Sequence, residues 1–243
     1  MERDPRLVRL PSRGMGVFVG DTHGDLDATE KVISRFLGKA EVIVFLGDNV
    51  DRGTLSRENI DYLFRLKQTH GRSLFLLAGN HEGYMVKSFS PAHFWESLAE
   101  EERTLYGEVF STFPLVATSE NGILALHGAI PDLETLEGIN GIGWGDEQWD
   151  RIIWGDFIEK EGEILDDRWG RPQFGRDYFD RLMHRYGKQL LIRSHQPTAP
   201  LFMFKKRCIT LFTSYAYVPE RHVALVELDR EIRSAEDVLL EEI

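Results

Sequence analysis

The apolar run Val42-Ile43-Val44-Phe45-Leu46, closed by Gly47-Asp48-Asn49-Val50-Asp51-Arg52-Gly53, constrains this chain more than any other stretch. It has strand length, β-branched content and no helical period. Helical spacing follows, with Ile60, Leu63 and Phe64 inward over residues 56–67. An acidic pair and an arginine therefore occupy a strand-to-helix loop, where chemistry sits in α/β folds. The same grammar occurs on either side. Residues 15–19 read as a strand ending at Gly20-Asp21-Thr22-His23-Gly24, with a helix from about Asp25 closed by Gly38. Residues 73–78 read as a third strand ending at Gly79-Asn80-His81-Glu82. Such a β-α-β-α-β run implies right-handed crossovers and parallel strands, so all three loops emerge at one sheet edge. A lone Gly-Asp is a solvated turn; three such loops at one edge are a site.

The second half follows other rules. Ser90-Pro91 reads as a helix cap with proline at the first helical position, opening an acidic amphipathic excursion over residues 91–110. Residues 115–118 and 123–126 flank Asn121-Gly122, a hairpin signal, and end at His127-Gly128. Residues 138–150, with four glycines and two tryptophans, read as an irregular loop. A helix is predicted over residues 174–186, then a strand over residues 190–192 ending at Arg193-Ser194-His195-Gln196. Residues 201–204, 208–213 and 223–228 are further strands. The expected architecture is α/β first, then mainly antiparallel β with one more helix. As a fold class this is a four-layer α/β/β/α sandwich of two mixed sheets flanked by helices, one domain over residues 1–243.

Composition limits what such a site can serve. A formal net charge of −11 over 243 residues argues against a general nucleic-acid or membrane-surface binder. An anionic substrate must then be held by a locally positive site. The single cysteine, Cys208, excludes an intramolecular disulfide framework and a Cys-rich metal site. Neither a signal peptide nor a stretch of membrane-spanning length is evident, so the expected location is cytoplasmic.

The strand ends carry Asp21, His23, Asp48, Asn80, His127 and His195. Two carboxylates, one amide oxygen and three imidazoles form a mixed O/N donor set that suits Mn, Fe or Zn better than Ca or Mg. Six donors exceed one tetrahedral site, and a shared carboxylate makes two divalent ions the economical reading. The ordered motifs Gly20-Asp21-Thr22-His23-Gly24, Gly47 to Gly53 and Gly79-Asn80-His81-Glu82 resemble the signatures of the phosphoprotein phosphatase family. That family comprises metal-dependent protein Ser/Thr phosphatases of the calcineurin-like metallophosphoesterase superfamily. The resemblance continues through Leu126-His127-Gly128, Trp154-Gly155-Asp156, Arg193 to Gln196 and Thr210-Leu211-Phe212.

The resemblance implies hydrolysis of phosphoserine and phosphothreonine in one step, by a hydroxide on a dinuclear centre, most often of Mn. It implies that Asp21, His23 and Asp48 hold one metal, and that Asp48, Asn80, His127 and His195 hold the other. By the same resemblance His81 is the general acid tuned by Asp51, and Arg52 binds phosphate. Asn80 and Arg168 also contact substrate, with Arg171 near Arg168. Tyr217 lies beside the site, with Tyr215 as its competitor. The expected partner is a phosphorylated protein or peptide.

Departures fall at Ala129-Ile130-Pro131 and Ser214-Tyr215-Ala216, which bear on the substrate groove and on regulatory subunits rather than the metal site. Rivals are weaker. Asp25-x-Asp27-x-Thr29 fits the pattern of aspartyl-nucleophile phosphatases, but it follows Gly24 as a helix start, where acids suit the dipole. Ser214 stands where a Cys-nucleophile phosphatase needs arginine. Within the same fold, a diadenosine tetraphosphate hydrolase or a broad small-molecule phosphomonoesterase is the alternative. A nuclease fits the acidity poorly, and a silent binding module would be expected to lose ligands or His81.

Overall fold

The computed structural model describes residues 4–168 and 170–243, without the Arg168 side chain. The chain runs β1 (Leu7–Arg9), β2 (Met15–Val19), α1 (Leu26–Phe36), β3 (Val42–Phe45), α2 (Ser56–Thr69) and β4 (Leu74–Leu76). β2, β3 and β4 pair in parallel, with Phe18 opposite Val44 and Val44 opposite Phe75, as the repeated loop grammar requires. The Asp25 carboxylate caps α1 by accepting the Ala28 N–H at 3.2 Å. That helix start is the structural use of the Asp25-x-Asp27-x-Thr29 stretch.

Next come α3 (His93–Ser97), α4 (Glu100–Phe110), β5 (Val116–Thr118) and β6 (Ile123–Leu126). They are followed by α5 (Glu147–Trp154), β7 (Asp156–Phe157), β8 (Ile164–Arg168), β9 (Arg171–Phe174) and α6 (Arg176–Arg185). The chain ends with β10 (Leu190–Arg193), β11 (Phe202–Met203), β12 (Cys208–Thr210), β13 (His222–Glu227) and β14 (Leu239–Glu242). One sheet has the order β14-β13-β2-β3-β4 and a second β1-β5-β6-β10-β12-β11, while β7-β9-β8 form a small third sheet.

Alternation along the strands builds the layers. Phe18, Val42, Val44, Ala125, Ile192 and Ile209 meet in one buried cluster between the two large sheets. Their neighbours Val17, Val19, Ile43, Phe45, Leu191 and Cys208 point the other way, into a cluster that includes Val32, Ile33, Ile60, Phe179 and Leu182 of the helices. Because side chains alternate between sheet faces, one strand serves both clusters. The result is the four-layer α/β/β/α sandwich.

Several expectations change. Ser90-Pro91 is a cis pair before α3, whose cap is Ala92, so it does not cap a helix. The excursion over residues 91–110 is two helices, because Leu98 and Ala99 are extended. The second half is less antiparallel than expected: β6, β10 and β12 run parallel, since the long connection after β6 gives the room a parallel crossover needs. The glycine-rich stretch contains a 3-10 turn (Leu136–Gly141) and leads into α5, which buries Trp149, Ile152, Ile153 and Trp154. Phe174, expected in a helix, instead pairs in the small sheet, and α6 starts at Arg176. Among the described residues no helix is long and apolar enough to cross a membrane.

Candidate active site

β2, β3 and β4 deliver their loops to one edge, and β6 and β10 deliver His127 and His195 from the facing sheet. A parallel bridge between Asp21 and Phe212 joins the two sheets beside these loops. The Thr213 N–H donates to the Asp21 carbonyl at 3.1 Å. The Asp21 N–H donates to Ser194 Oγ at 2.9 Å, and that hydroxyl also lies against the Asp21 carboxylate.

Glu82 ties the second loop to the third. Its carboxylate accepts N–H bonds from Asp48, Asn49 and Gly79, each at 2.8 Å. Asp48 Oδ1 in turn accepts the His81 N–H at 2.8 Å. This close approach requires glycine: a Cβ on Gly79 would lie 2.2 Å from Asp48 Oδ1, and one on Gly47 2.5 Å from the Gly79 nitrogen. His23, Asp48, Asp51, Arg52 and His195 all adopt positive φ, between 44° and 75°. Such backbone persists only where surrounding bonds over-determine it.

The side chains form two groups sharing Asp48. One is His23, Asp48 and His81; the other is Asp48, His127 and His195. His23 Nε2 is 3.6 Å from Asp21 Oδ2 and 3.8 Å from Asp48 Oδ2. His127 Nε2 is 3.4 Å from Asp48 Oδ2 and 3.1 Å from Asn80 Oδ1. His195 Nδ1 is 2.9 Å from Asn80 Oδ1 and 3.0 Å from His127 Nε2. All six expected donors thus converge, and His70, His93, His184 and His222 stay outside these groups.

The donor chemistry fits cations. His23 Nδ1 faces the Val50 carbonyl and His127 Nδ1 the Leu46 carbonyl, each at 3.0 Å. A carbonyl can only accept, so these ring nitrogens carry the protons and leave both Nε2 atoms bare in the neutral rings. The Nε2 nitrogens face carboxylate and amide oxygens; burial would lower His127, but the Asp48 and Asp21 charges outweigh it and raise that ring above the ordinary imidazole value. Nitrogen and oxygen donors that converge in this way suit divalent ions, which would displace the protons the metal-free groups hold.

The other groups shift as crowded, buried charges do. Burial, with the Asp48 charge, pushes Asp21 up to about 7. Burial alone would raise Asp48, but the encircling His127, His81 and His23 outweigh it and hold that carboxylate well below its usual range. Burial, aided by His81, pushes His23 down to about 3. Burial, with Arg171 and His127, drives His195 well below the ordinary imidazole value.

A cavity of about 180 Å³ opens onto these groups, and Arg52, His81, Phe89, Trp154, Arg171 and Tyr217 line it. His81 Nδ1 lies 2.7 Å from Asp51 Oδ2. Asp51 Oδ1 accepts the Phe94 N–H at 2.7 Å, and the Trp95 indole donates to the His81 carbonyl at 2.8 Å. The helical excursion therefore orients both residues. Arg52 donates to the Tyr217 hydroxyl and, at 2.6 Å, to the Pro91 carbonyl. Tyr217 lies edge-on to His23 at 5.3 Å, while Tyr215 instead covers Arg221, 3.9 Å from its guanidinium.

Arg171 grips Asp156 through two bonds of 2.9 and 2.7 Å, and Asp156 Oδ1 lies 3.7 Å from His195 Nε2. Arg168 is the cross-strand partner of Arg171, and its side chain lies outside the described residues. Phe89, 4.4 Å from the His81 ring, had no motif to announce it beyond being an aromatic beside Ser90-Pro91.

A sandwich whose facing sheets present six O/N donors around a shared carboxylate is the frame of a metallophosphoesterase. Comparison with known proteins agrees. Residues 17–199 match the calcineurin-like phosphoesterase family, and the chain belongs to that family of phosphoester-hydrolysing, dinuclear metal-dependent enzymes. A protein serine/threonine phosphatase from Saccharomyces cerevisiae, with similarity to human phosphatase PP5, superposes at a TM-score of 0.82. It shares 24% identity over 99% of this chain and 84% of its own. A putative diadenosine tetraphosphatase gives 0.60 and 18% identity, covering 98% of each chain. A cold-active protein-tyrosine phosphatase of a psychrophilic Shewanella sp. gives 0.63 and 17%, covering 99% and 82%.

The raised Asp21 sets a pH dependence. Below pH 7 its carboxyl keeps a proton that an incoming cation must displace. Manganese affinity of the metal-free protein should therefore rise with pH, by about tenfold per unit below that value for each proton displaced. Calorimetric titration in two buffers of different ionisation enthalpy should detect proton release. Affinity independent of pH from about 6 to about 8 would contradict this account.

Proposed function

We propose that this chain is a protein serine/threonine phosphatase of the phosphoprotein phosphatase type, hydrolysing phosphomonoesters of protein or peptide substrates in the cytoplasm. The observation that carries this reading is the His81–Asp51 pair, 2.7 Å apart and flanking a cavity that also holds Arg52. A serine or threonine alkoxide leaves poorly, so its departure needs a proton. His81 gives that proton from Nε2 while Asp51 holds Nδ1–H and stabilises the imidazolium. Arg52 binds phosphate oxygens in bidentate fashion. A second arginine comes from the Arg168/Arg171 cross-strand pair; among the described side chains Arg171 lines the cavity. Asn80 and Tyr217 complete the substrate contacts.

Asp21, His23 and Asp48 would hold one divalent ion, and Asp48, Asn80, His127 and His195 the other. Manganese is the first choice for this mixed donor set, with iron or zinc as alternatives. When bound, the ions supply an activated water and offset phosphoryl charge.

A second reading is dinucleotide polyphosphate hydrolysis, favoured by the similar length of the putative diadenosine tetraphosphatase, matched over 98% of both chains. Rates on a phosphothreonine peptide, a phosphotyrosine peptide and diadenosine tetraphosphate, with added manganese, separate the two. The phosphothreonine peptide should be hydrolysed fastest; a faster dinucleotide reaction would transfer the assignment to the second reading. His81→Ala should slow the phosphothreonine peptide by about 10²–10⁴-fold and affect p-nitrophenyl phosphate, whose leaving group needs no proton, far less. Equal losses on both would refute the acid role.

A further inference from the structure

Eight non-glycine residues among those described adopt positive φ. Five belong to the candidate active site. The other three are consecutive: Phe204, Lys205 and Lys206, at 52°, 55° and 64°. Together they turn the chain from β11 to β12. Left-handed backbone is strained for an ordinary residue, and Gly or Asn would make such a turn with less strain. The strain is held by bonds at its first residue. The Phe204 N–H donates to Glu159 Oε1 at 3.1 Å, and the Phe204 ring stacks on Phe179 at 4.4 Å.

This turn borders a cavity of about 770 Å³, lined also by one side of α6, from Arg176 to His184, and by the residues that lead into β10. The volume lies within the range of about 300–1,000 Å³ typical of small-molecule sites. Arg176, Lys188, Lys205 and Arg207 line it, with Asp180 the one carboxylate among the lining residues. Arg207 is paired with Asp180 at 2.9 Å, and Arg176 lies 3.7 Å from Glu159. Lys188 donates to a neutral group, the Ser119 carbonyl, at 2.7 Å. Lys205, on the strained turn, has no bonding partner among the described residues. The cavity thus keeps excess positive charge in a chain whose net charge is −11. It lies at the opposite end of β10 from His195, about 13 Å of strand away.

We infer that this cavity is a second anion site, separate from the candidate active site, that takes a compact polyphosphate between Arg176, Lys188 and Lys205 over the Phe204 floor. Cations spread around so wide a cavity cannot all reach one phosphate, whereas linked phosphates present their charges at several points. Calorimetric titration of Arg52→Ala protein, free of metal, tests this while removing a phosphate contact from the active-site cavity. Inorganic tripolyphosphate should bind saturably, at least tenfold more weakly after a further Lys205→Glu exchange, with Lys205→Arg restoring it and thermal melting unchanged. A nucleoside triphosphate that binds more tightly than tripolyphosphate shows that the cavity also holds its nucleoside, and equal affinities assign the site to phosphates alone; both support the inference. No saturable tripolyphosphate binding, or binding indifferent to Lys205→Glu, would overturn it.

Discussion

The Glu82 carboxylate is the interaction on which the rest of the site depends. Its oxygens receive three backbone N–H groups, two from the loop after β3 and one from the loop after β4. A buried carboxylate without such partners would be costly; with them it becomes the clamp that keeps Asp48 in a left-handed conformation. Burial and the Asp48 charge raise Glu82 above its usual range even so. The clamp therefore works against electrostatic resistance, and the geometry it secures places one carboxylate within reach of both histidine groups.

Around that clamp three of the four imidazoles are oriented by a backbone carbonyl or a carboxylate that lies outside the donor groups. Val50 and Leu46 set His23 and His127, and Asp51 sets His81. Orientation of this kind fixes the tautomer and the basicity of a ligand nitrogen. α3 extends the support outward: the Phe94 N–H and the Trp95 indole hold Asp51 and His81 from one short helix. A short amphipathic excursion thus becomes part of the frame of the candidate site.

Much of this was legible in the residues. The two strand-loop-helix units and the third strand with its loop could be read because each packs against its own neighbour in sequence, with a period that survives in the pattern. The donors Asp21, His23, Asp48, Asn80, His127 and His195 could be read because each ends a strand. What escaped depends on distant pairing. α5 follows a glycine-rich stretch that masks its four buried apolar residues, and β7, β8 and β9 are short strands stabilised by each other. The parallel run of β6, β10 and β12 rests on pairing between strands far apart in sequence, which the predicted helix over residues 174–186 does not by itself reveal. Family spacing favours Arg168 as the second phosphate arginine, with Arg171 nearby; the Arg171 side chain, bonded to Asp156, lines the cavity, and that of Arg168 lies outside the described residues.

The central claim is that one carboxylate, Asp48, belongs to two cation sites at once. Elemental analysis of manganese-loaded protein after Asp48→Asn exchange tests it most directly, because the amide keeps the oxygen that accepts the His81 N–H. The unmodified chain should carry two ions and the variant should lose metal from both sites. A variant that still holds two ions would contradict the shared carboxylate.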